Sequence, residues 1–294
     1  MTDQSKGLLI TSLGVLCVVP DSLFVRLIEA DPLTITFFRS VIAGSLILFG
    51  VLVVQGVSGF RALAGSGRAG VIYTCLIALT SPGFVLAVSL TSVANVVFIF
   101  ASIPIFAAIL SRIFLGEAIR ARMVWTMAVV LIGLGIIAYG SSESQISSWK
   151  GDLVALAVSL SFACALTAVR KVRNVSMIPA IPLAFLGGAL VIWPFITPAP
   201  VIVAQWPLLL GHGVFIACST PLLTLGPRYI SSAEVALLIL LESVLAPILV
   251  WAVVGEDPGR WAIFGGAVVI GALFVSNMIA LRRRAGGRAL PRRA

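Results

Sequence analysis

Apolar residues run along this chain in long unbroken blocks rather than alternating with polar ones. A helix needs about 20 apolar residues to cross the hydrocarbon core of a bilayer. Ten blocks of about that length can be marked, at 7–27, 33–54, 70–90, 93–114, 120–140, 151–170, 178–197, 206–226, 232–254 and 260–281. The first is too long for a signal peptide, carries Asp21 and Arg26 at its far end and lacks a small-x-small cleavage site, so it reads as a helix. Blocks three and four are separated only by Thr91-Ser92, and blocks eight and nine only by residues 226–231. Both junctions predict tight antiparallel hairpins.

The pattern also repeats. Residues 77–130 align without gaps on 216–269. Ser81-Pro82 falls on Thr220-Pro221, Ser92-Val93-Ala94 on Ser231-Ser232-Ala233, and Gly116-Glu117 on Gly255-Glu256. More weakly, Gly7 matches Gly151 and Val25-Arg26 matches Val169-Arg170. A unit of five crossings is odd, so its second copy enters the membrane inverted, a plan found in secondary transporters. The expected fold is an all-α membrane protein of ten transmembrane helices in two inverted five-helix repeats, 1–145 and 146–282, with a basic tail at 283–294.

Composition agrees with a membrane protein: 60% of residues are hydrophobic and 11% charged, against about 25% charged in soluble domains. The net charge of +9 comes from arginines in short loops, which points to the positive-inside rule and not to nucleic acid. With the N-terminus in the cytoplasm, the inner side collects Lys6, Arg61, Arg68, Arg112, Arg120, Arg122, Arg170, Lys171, Arg173, Arg228 and the basic tail. The outer side keeps Arg26, Arg39, Lys150 and Arg260 among the acids Glu29, Asp31, Glu143, Asp152, Glu256 and Asp257. The expectation is N-in, C-in. Trp149, Trp193, Trp206, Trp251 and Trp261 near the outer interface and Trp125 near the inner one read as an aromatic belt. Cys17, Cys75, Cys164 and Cys218 lie in separate apolar blocks with no disulfide or metal spacing.

Phe37-Phe38-Arg39-Ser40 in the second block resembles the pattern of the EamA family of the drug/metabolite transporter superfamily. So do Ile103-Pro104-Ile105-Phe106 running to Leu115-Gly116-Glu117, and Leu241-Glu242-Ser243 running to Gly255-Glu256. The family usually has Glu-Pro where this chain has Glu242-Ser243, with the proline displaced to Pro247, so the kink of helix nine is expected lower. The resemblance covers essentially the whole chain and implies a transporter working by alternating access. Within the family the chain is similar to the YddG-type bacterial exporters of aromatic amino acids. That likeness implies export of amino acids across the bacterial inner membrane. Other substrates of the same fold, a drug or a nucleotide-linked metabolite, and a membrane scaffold or enzyme are the alternatives.

Candidate site residues follow from depth. Ser81-Pro82 and Thr220-Pro221 lie about ten residues into helices three and eight, mid-bilayer at about 1.5 Å per residue. A proline there frees a backbone carbonyl, and its neighbouring hydroxyl can serve a substrate or the backbone. Phe84, Phe98 and Phe100 lie near the same depth and could stack on an aromatic substrate. Glu242, with Leu238 one turn before it, is an acid deep in helix nine and a candidate for a substrate amine or a coupling proton. Packing alone, or a structural acid, is the plain alternative for each. Asp21 and Arg39 read as a structural ion pair toward the outer end, His212 as an interfacial structural histidine, Ser231 to Glu234 as a capping box, and Asn95 as the cap of helix four. Nothing in the sequence supports enzyme chemistry: there is no metal-spaced cluster, no Walker loop and no nucleophile with a histidine partner. No cofactor is expected. The expected partners are a small-molecule substrate and membrane lipid, which the basic tail would meet; nucleic acid is not expected, and the chain is expected to work as a monomer.

Overall fold

The computed structural model describes residues 3–116, 121–143, 148–172, 175–196, 199–225, 229 and 232–288. Glu117, Arg120, Arg173, Arg228 and Ser231, and the side chains of Arg122, Glu143, Arg170 and Glu234, lie outside the described residues, as does the basic tail from 283 onward apart from its backbone up to Arg288. The first repeat supplies α1 (Asp3–Val18), α2 (Asp21–Leu27), α3 (Pro32–Val54), α4 (Gly56–Ala64), α5 (Arg68–Leu90), α6 (Val93–Phe100), α7 (Ile103–Leu115) and α8 (Ala121–Glu143). The second supplies α9 (Trp149–Lys171), α10 (Ala180–Ile192), α11 (Ala199–Leu225), α12 (Ser232–Val254) and α13 (Arg260–Arg288). Among the described residues, six helical spans are long and apolar enough to cross a membrane, and four shorter apolar helices accompany them. Phe49, Phe114, Leu190 and Val203 point outward from the bundle, each more than two-thirds exposed, as expected of a surface facing lipid rather than water.

Local sequence sets where these helices break. The first span is two helices, α1 and α2, because Pro20 interrupts it just before Asp21. The fourth is likewise split into α6 and α7 at Ala101-Ser102, and Pro104 falls in the first turn of α7, where a missing N–H is tolerated. Ser92, and not Asn95, caps α6: its hydroxyl accepts from the Asn95 backbone N–H at 3.2 Å. Asn95 sits one turn in and spends its side chain elsewhere. Gly116 and Gly255, the glycines of the repeated Gly-Glu pair, adopt φ of +70° and +76°. Both occupy the left-handed position that ends a helix and suits glycine, which is why this pair is common to both copies.

Helix packing obeys the repeat. Helix α5 packs on α9, and its counterpart α11 packs on α1; α5 packs on α10, and α11 on α3. The pairs α3 with α10, α8 with α13 and α6 with α12 join equivalent helices across the two halves. The correspondence reaches single residues. Gly83 of α5 lies against Val158 of α9, where a Cβ on the glycine would stand 2.4 Å from the valine methyl. Shifted by the repeat, those positions are Leu222 of α11 and Gly14 of α1, which also meet, at 3.1 Å from an added Cβ. The small and the large partner have changed places.

The same packing corrects the expected hairpins. Among the described residues, α5 scarcely touches α6, and α11 is not a packing partner of α12. Instead α9 packs against α5, α6 and α7, and α1 against both α11 and α12. The leading helix of each half is wedged between two sequence neighbours of the other, so a two-residue junction such as Thr91-Ser92 joins helices that diverge.

Candidate functional site

The densest buried polar group in the described structure draws on both halves. Asp21 opens α2 and is 4% exposed; Arg39 lies in α3, Ser81 in α5 and His212 in α11. The Arg39 Nε donates to Asp21 Oδ1 at 3.0 Å and its Nη2 to Oδ2 at 2.6 Å, a two-point clamp. Arg39 Nη1 donates to Ser81 Oγ at 2.6 Å, and Ser40 Oγ stands 3.3 Å from the same hydroxyl. His212 Nε2 lies 2.5 Å from Asp21 Oδ1, while its Nδ1 is buried with no hydrogen-bond partner. A doubly protonated ring would bury an N–H without an acceptor, so the neutral Nε2–H tautomer fits this environment.

Aromatic rings enclose the cluster. Phe84 faces the Arg39 guanidinium at 5.7 Å and Phe100 at 5.7 Å between centroids. Phe24 stacks on the His212 ring at 5.4 Å and meets Phe215 at 5.7 Å. Asp21 lies six residues from the end of α2, Arg39 seven from the start of α3 and Ser81 nine from the end of α5. At about 1.5 Å per residue the cluster is sunk roughly 9–14 Å from that end of a core about 30 Å thick. His212 is fully buried rather than interfacial, because α11 extends further toward the N-terminus than the apolar block indicated, passing a kink at Gln205.

Helix α12 presents three faces. Leu241, Val244, Ile248 and Trp251 are exposed; Ser243, Ala246, Pro247 and Val250 are buried. Between them runs a half-buried face of Leu238, Glu242, Leu245 and Leu249, spaced at one helical turn. Leu245 and Leu249 pack against the same core as Phe24, Phe38, Ile42 and Phe100. Glu242 makes no hydrogen bond or ion pair among the described residues, and its electrostatic neighbour is Asp21.

A second polar group ties helix ends together nearer the surface. Arg26 Nε lies 2.6 Å from Glu256 Oε2, and Arg26 Nη2 donates to the Thr91 carbonyl at 2.8 Å. Glu256 Oε1 accepts from the Val93 N–H at 2.8 Å. Thr91 Oγ1 donates to Asp152 Oδ1 at 2.8 Å, and Asn95 Nδ2 reaches the same oxygen at 3.2 Å. This clasp joins α2, the α5–α6 junction, the start of α9 and the loop after α12.

The residues singled out in the sequence are distributed unevenly over these features. Ser81 and Phe84 belong to the buried cluster, and Phe100 adjoins it. Glu242 and Leu238 lie on the half-open face of α12. Phe98 packs on Gly266 of α13, where an added Cβ would meet its ring at 2.4 Å. Thr220 turns its hydroxyl back to the Ile216 carbonyl at 2.9 Å, in its own helix beside Pro221. Among the described residues α5 and α11 are not packing partners; α3 contacts both, so Ser81-Pro82 and Thr220-Pro221 lie on helices bridged by α3. The structure adds Arg39 and His212 to the site and turns the expected Asp21–Arg39 pair into a four-helix cluster. The signal for them was present: they are ionisable residues inside apolar blocks.

A duplicated, all-helical, multi-pass membrane protein with a buried charged cluster shared between its halves has the build of a carrier. The chain belongs to the EamA-like transporter family, which it matches twice, over residues 5–139 and 149–278. The family is part of the drug/metabolite transporter superfamily, and its members are transporters rather than enzymes. No curated protein matches the chain. A solved crystal structure, described only as that of a protein, superposes with a TM-score of 0.65 at 19% identity, covering 95% of this chain and 99% of its own. At that identity the likeness concerns the fold alone.

Proposed function

We propose that this chain exports small metabolites, aromatic or apolar amino acids among them, across the bacterial inner membrane by alternating access, as YddG-type exporters do. In this reading ten helices cross the membrane N-in, C-in, α4 lies outside the count, and the two repeats are inverted. The loop charges support that orientation: Lys6, Arg61, Arg68, Arg112 and Lys171 fall at the ends of the bundle opposite Glu29, Asp31, Asp152 and Glu256.

The observation that carries the reading is the unpartnered Glu242 on a half-open face of α12, next to the buried Asp21–Arg39–His212–Ser81 cluster. Ionisable groups are costly at this depth and mark substrate paths. Phe84, Phe100 and Leu238 would offer a substrate held beside Glu242 apolar neighbours suited to an aromatic or aliphatic body. Pro82 beside Ser81 and Pro221 beside Thr220 each remove a hydrogen bond inside α5 and α11, both of which contact α3, and are points about which these helices would tilt; Phe98 anchors α6 on α13. A nucleotide-linked substrate fits poorly, because the cluster's cation, Arg39, is already clamped by Asp21. For the site to open on the side of the clasp, the Arg26–Glu256 pair must part.

Purified protein in liposomes loaded with labelled phenylalanine, tryptophan, leucine or aromatic amines tests the reading. Efflux above that of empty liposomes for at least one of them is expected. No efflux for any amino acid or amine would sink it.

A further inference from the structure

Counted with Glu242 ionised, the charges on the half-open face and in the cluster beside it do not sum to zero. Asp21 has committed both carboxylate oxygens to Arg39, and Oδ1 also to His212. Arg39 has committed Nε and Nη2 to Asp21 and Nη1 to Ser81, and its face lies over Phe84. The two ionic charges cancel inside a fully packed group. His212 adds none in the tautomer its surroundings accept. Glu242 is left over: a carboxyl group at membrane depth, half-buried, with no cation to meet it among the described residues.

We propose that the site recognises the ammonium group of its ligand through Glu242 and provides no seat for a carboxylate, so that its preferred ligands are small aromatic or apolar monoamines. The proposal rests on reading the chain as a transporter of small metabolites, and it specifies what part of the metabolite is read. An isolated charge in a low-dielectric site is unfavourable until an opposite charge pairs with it. An incoming ammonium supplies that charge to Glu242. An amino acid brings the same ammonium together with a carboxylate, and the carboxylate would find Arg39 occupied. To bind it, Arg39 would have to leave Asp21, stranding a buried carboxylate in its place. The ring of the ligand has apolar neighbours within the same region: Leu245 and Leu249 on the face of Glu242, and Phe24 and Phe100, which pack against the same core. Aromatic faces also favour a cation held near them. Removing or masking the ligand's carboxylate therefore removes its poorly matched end while keeping the matched one.

The test compares three probes of one skeleton in proteoliposomes of the full chain: phenethylamine, phenylalanine methyl ester and L-phenylalanine. The expected result is that the amine and the ester compete for binding, and move, at least tenfold better than the zwitterion. This arm uses wild-type protein alone and does not depend on a variant folding. Glu242→Gln, whose folding is checked by its melting profile in detergent, should reduce amine flux at least tenfold, and Glu242→Asp should keep a measurable share of it. L-Phenylalanine equal to or better than phenethylamine overturns the proposal while leaving the transporter reading in place. Unchanged amine flux in a folded Glu242→Gln protein also overturns it. Absence of flux for all three probes and for every other amino acid and amine removes the transporter reading, and the proposal with it.

Discussion

Helix α5 in the first repeat and α11 in the second carry a hydroxyl followed by a proline at matched positions, Ser81-Pro82 and Thr220-Pro221, yet the two hydroxyls have opposite fates. Ser81 leaves its own helix and accepts from Arg39 of α3. Thr220 donates back to Ile216, one turn earlier in α11. The contrast extends about two turns further: Tyr73, at the position equivalent to His212, carries a neutral phenol where its counterpart holds a buried aspartate. Duplication has kept the packing plan, down to the exchanged pair Gly83·Val158 and Gly14·Leu222, while giving the charged cluster Ser81 and His212 and not their equivalents Thr220 and Tyr73. What the repeats share is therefore a matter of shape, and what separates them is a matter of polar chemistry.

The largest effect should come from removing one side of the asymmetric pair. Arg39→Gln strands the Asp21 carboxylate in the bundle, and breaking a buried pair in this way costs about 3–5 kcal/mol. The double variant Asp21→Asn/Arg39→Gln, with no stranded charge, should regain most of that stability in thermal melts in detergent. If the double variant melts no higher than the single one, the cluster is not held by the pairing described here.

The next effect compares the two hydroxyls directly. Ser81→Ala deprives a buried guanidinium of an acceptor, a loss of about 1.5–3 kcal/mol for a hydrogen bond to a charged group. Thr220→Val removes only a bond within its own helix and should cost at most about 1 kcal/mol. Equal losses in the two variants would erase the distinction between the halves.

Shape symmetry can be tested by making one half imitate the other. Gly83→Leu drives a side chain into Val158 and should cost about 1–3 kcal/mol by overpacking. Adding Val158→Gly rebuilds at α5·α9 the arrangement that Leu222 and Gly14 make at α11·α1. The double variant should recover to within about 1 kcal/mol of the parent, the remainder being the entropic cost of a helical glycine. No recovery would mean that the two interfaces are not interchangeable.

These contrasts also explain how much of the molecule could be read from its sequence. The repeat was legible because matched positions keep the residues that shape helices: a hydroxyl before proline at Ser81-Pro82 and Thr220-Pro221, and glycine where a helix must end in a left-handed turn, as at Gly116 and Gly255. Which helices touch was not legible. A two-residue junction suggests a hairpin, but in a bundle without hydrophobic drive between helices the partner is set by fit, and α9 fits between α5 and α7 better than they fit each other. The site was half legible. Ser81, Phe84 and Glu242 stood out by depth on their own helices, and Asp21 with Arg39 as a pair. That His212 completes this pair depends on the approach of α11 to α2, 191 positions apart in the chain, which no local pattern reports.

The smallest energetic effect belongs to the clasp, which differs from the buried cluster in being partly open to solvent: the Arg26 side chain is 19% exposed and Glu256 8%. A pair near the ends of helices contributes less than one sealed in the bundle, on the order of 1 kcal/mol, so Arg26→Gln should move the melting temperature less than the variants above. In the alternating-access cycle proposed above, its consequence is larger than its consequence for stability. Two conformations of a carrier need differ by only a few kcal/mol, and about 1.4 kcal/mol changes their ratio tenfold. Weakening a contact made only in the state with the clasp closed should therefore raise the population open on that side by up to about tenfold. With the four native cysteines replaced, a cysteine at Leu249, on the half-open face of α12, reports this through its rate of labelling by a membrane-impermeant thiol reagent. Faster labelling in Arg26→Gln than in the Arg26 parent is expected, and the charge-swapped double variant Arg26→Glu/Glu256→Arg should slow it again. Equal rates in all three proteins would make the clasp a fixed strut rather than a moving contact.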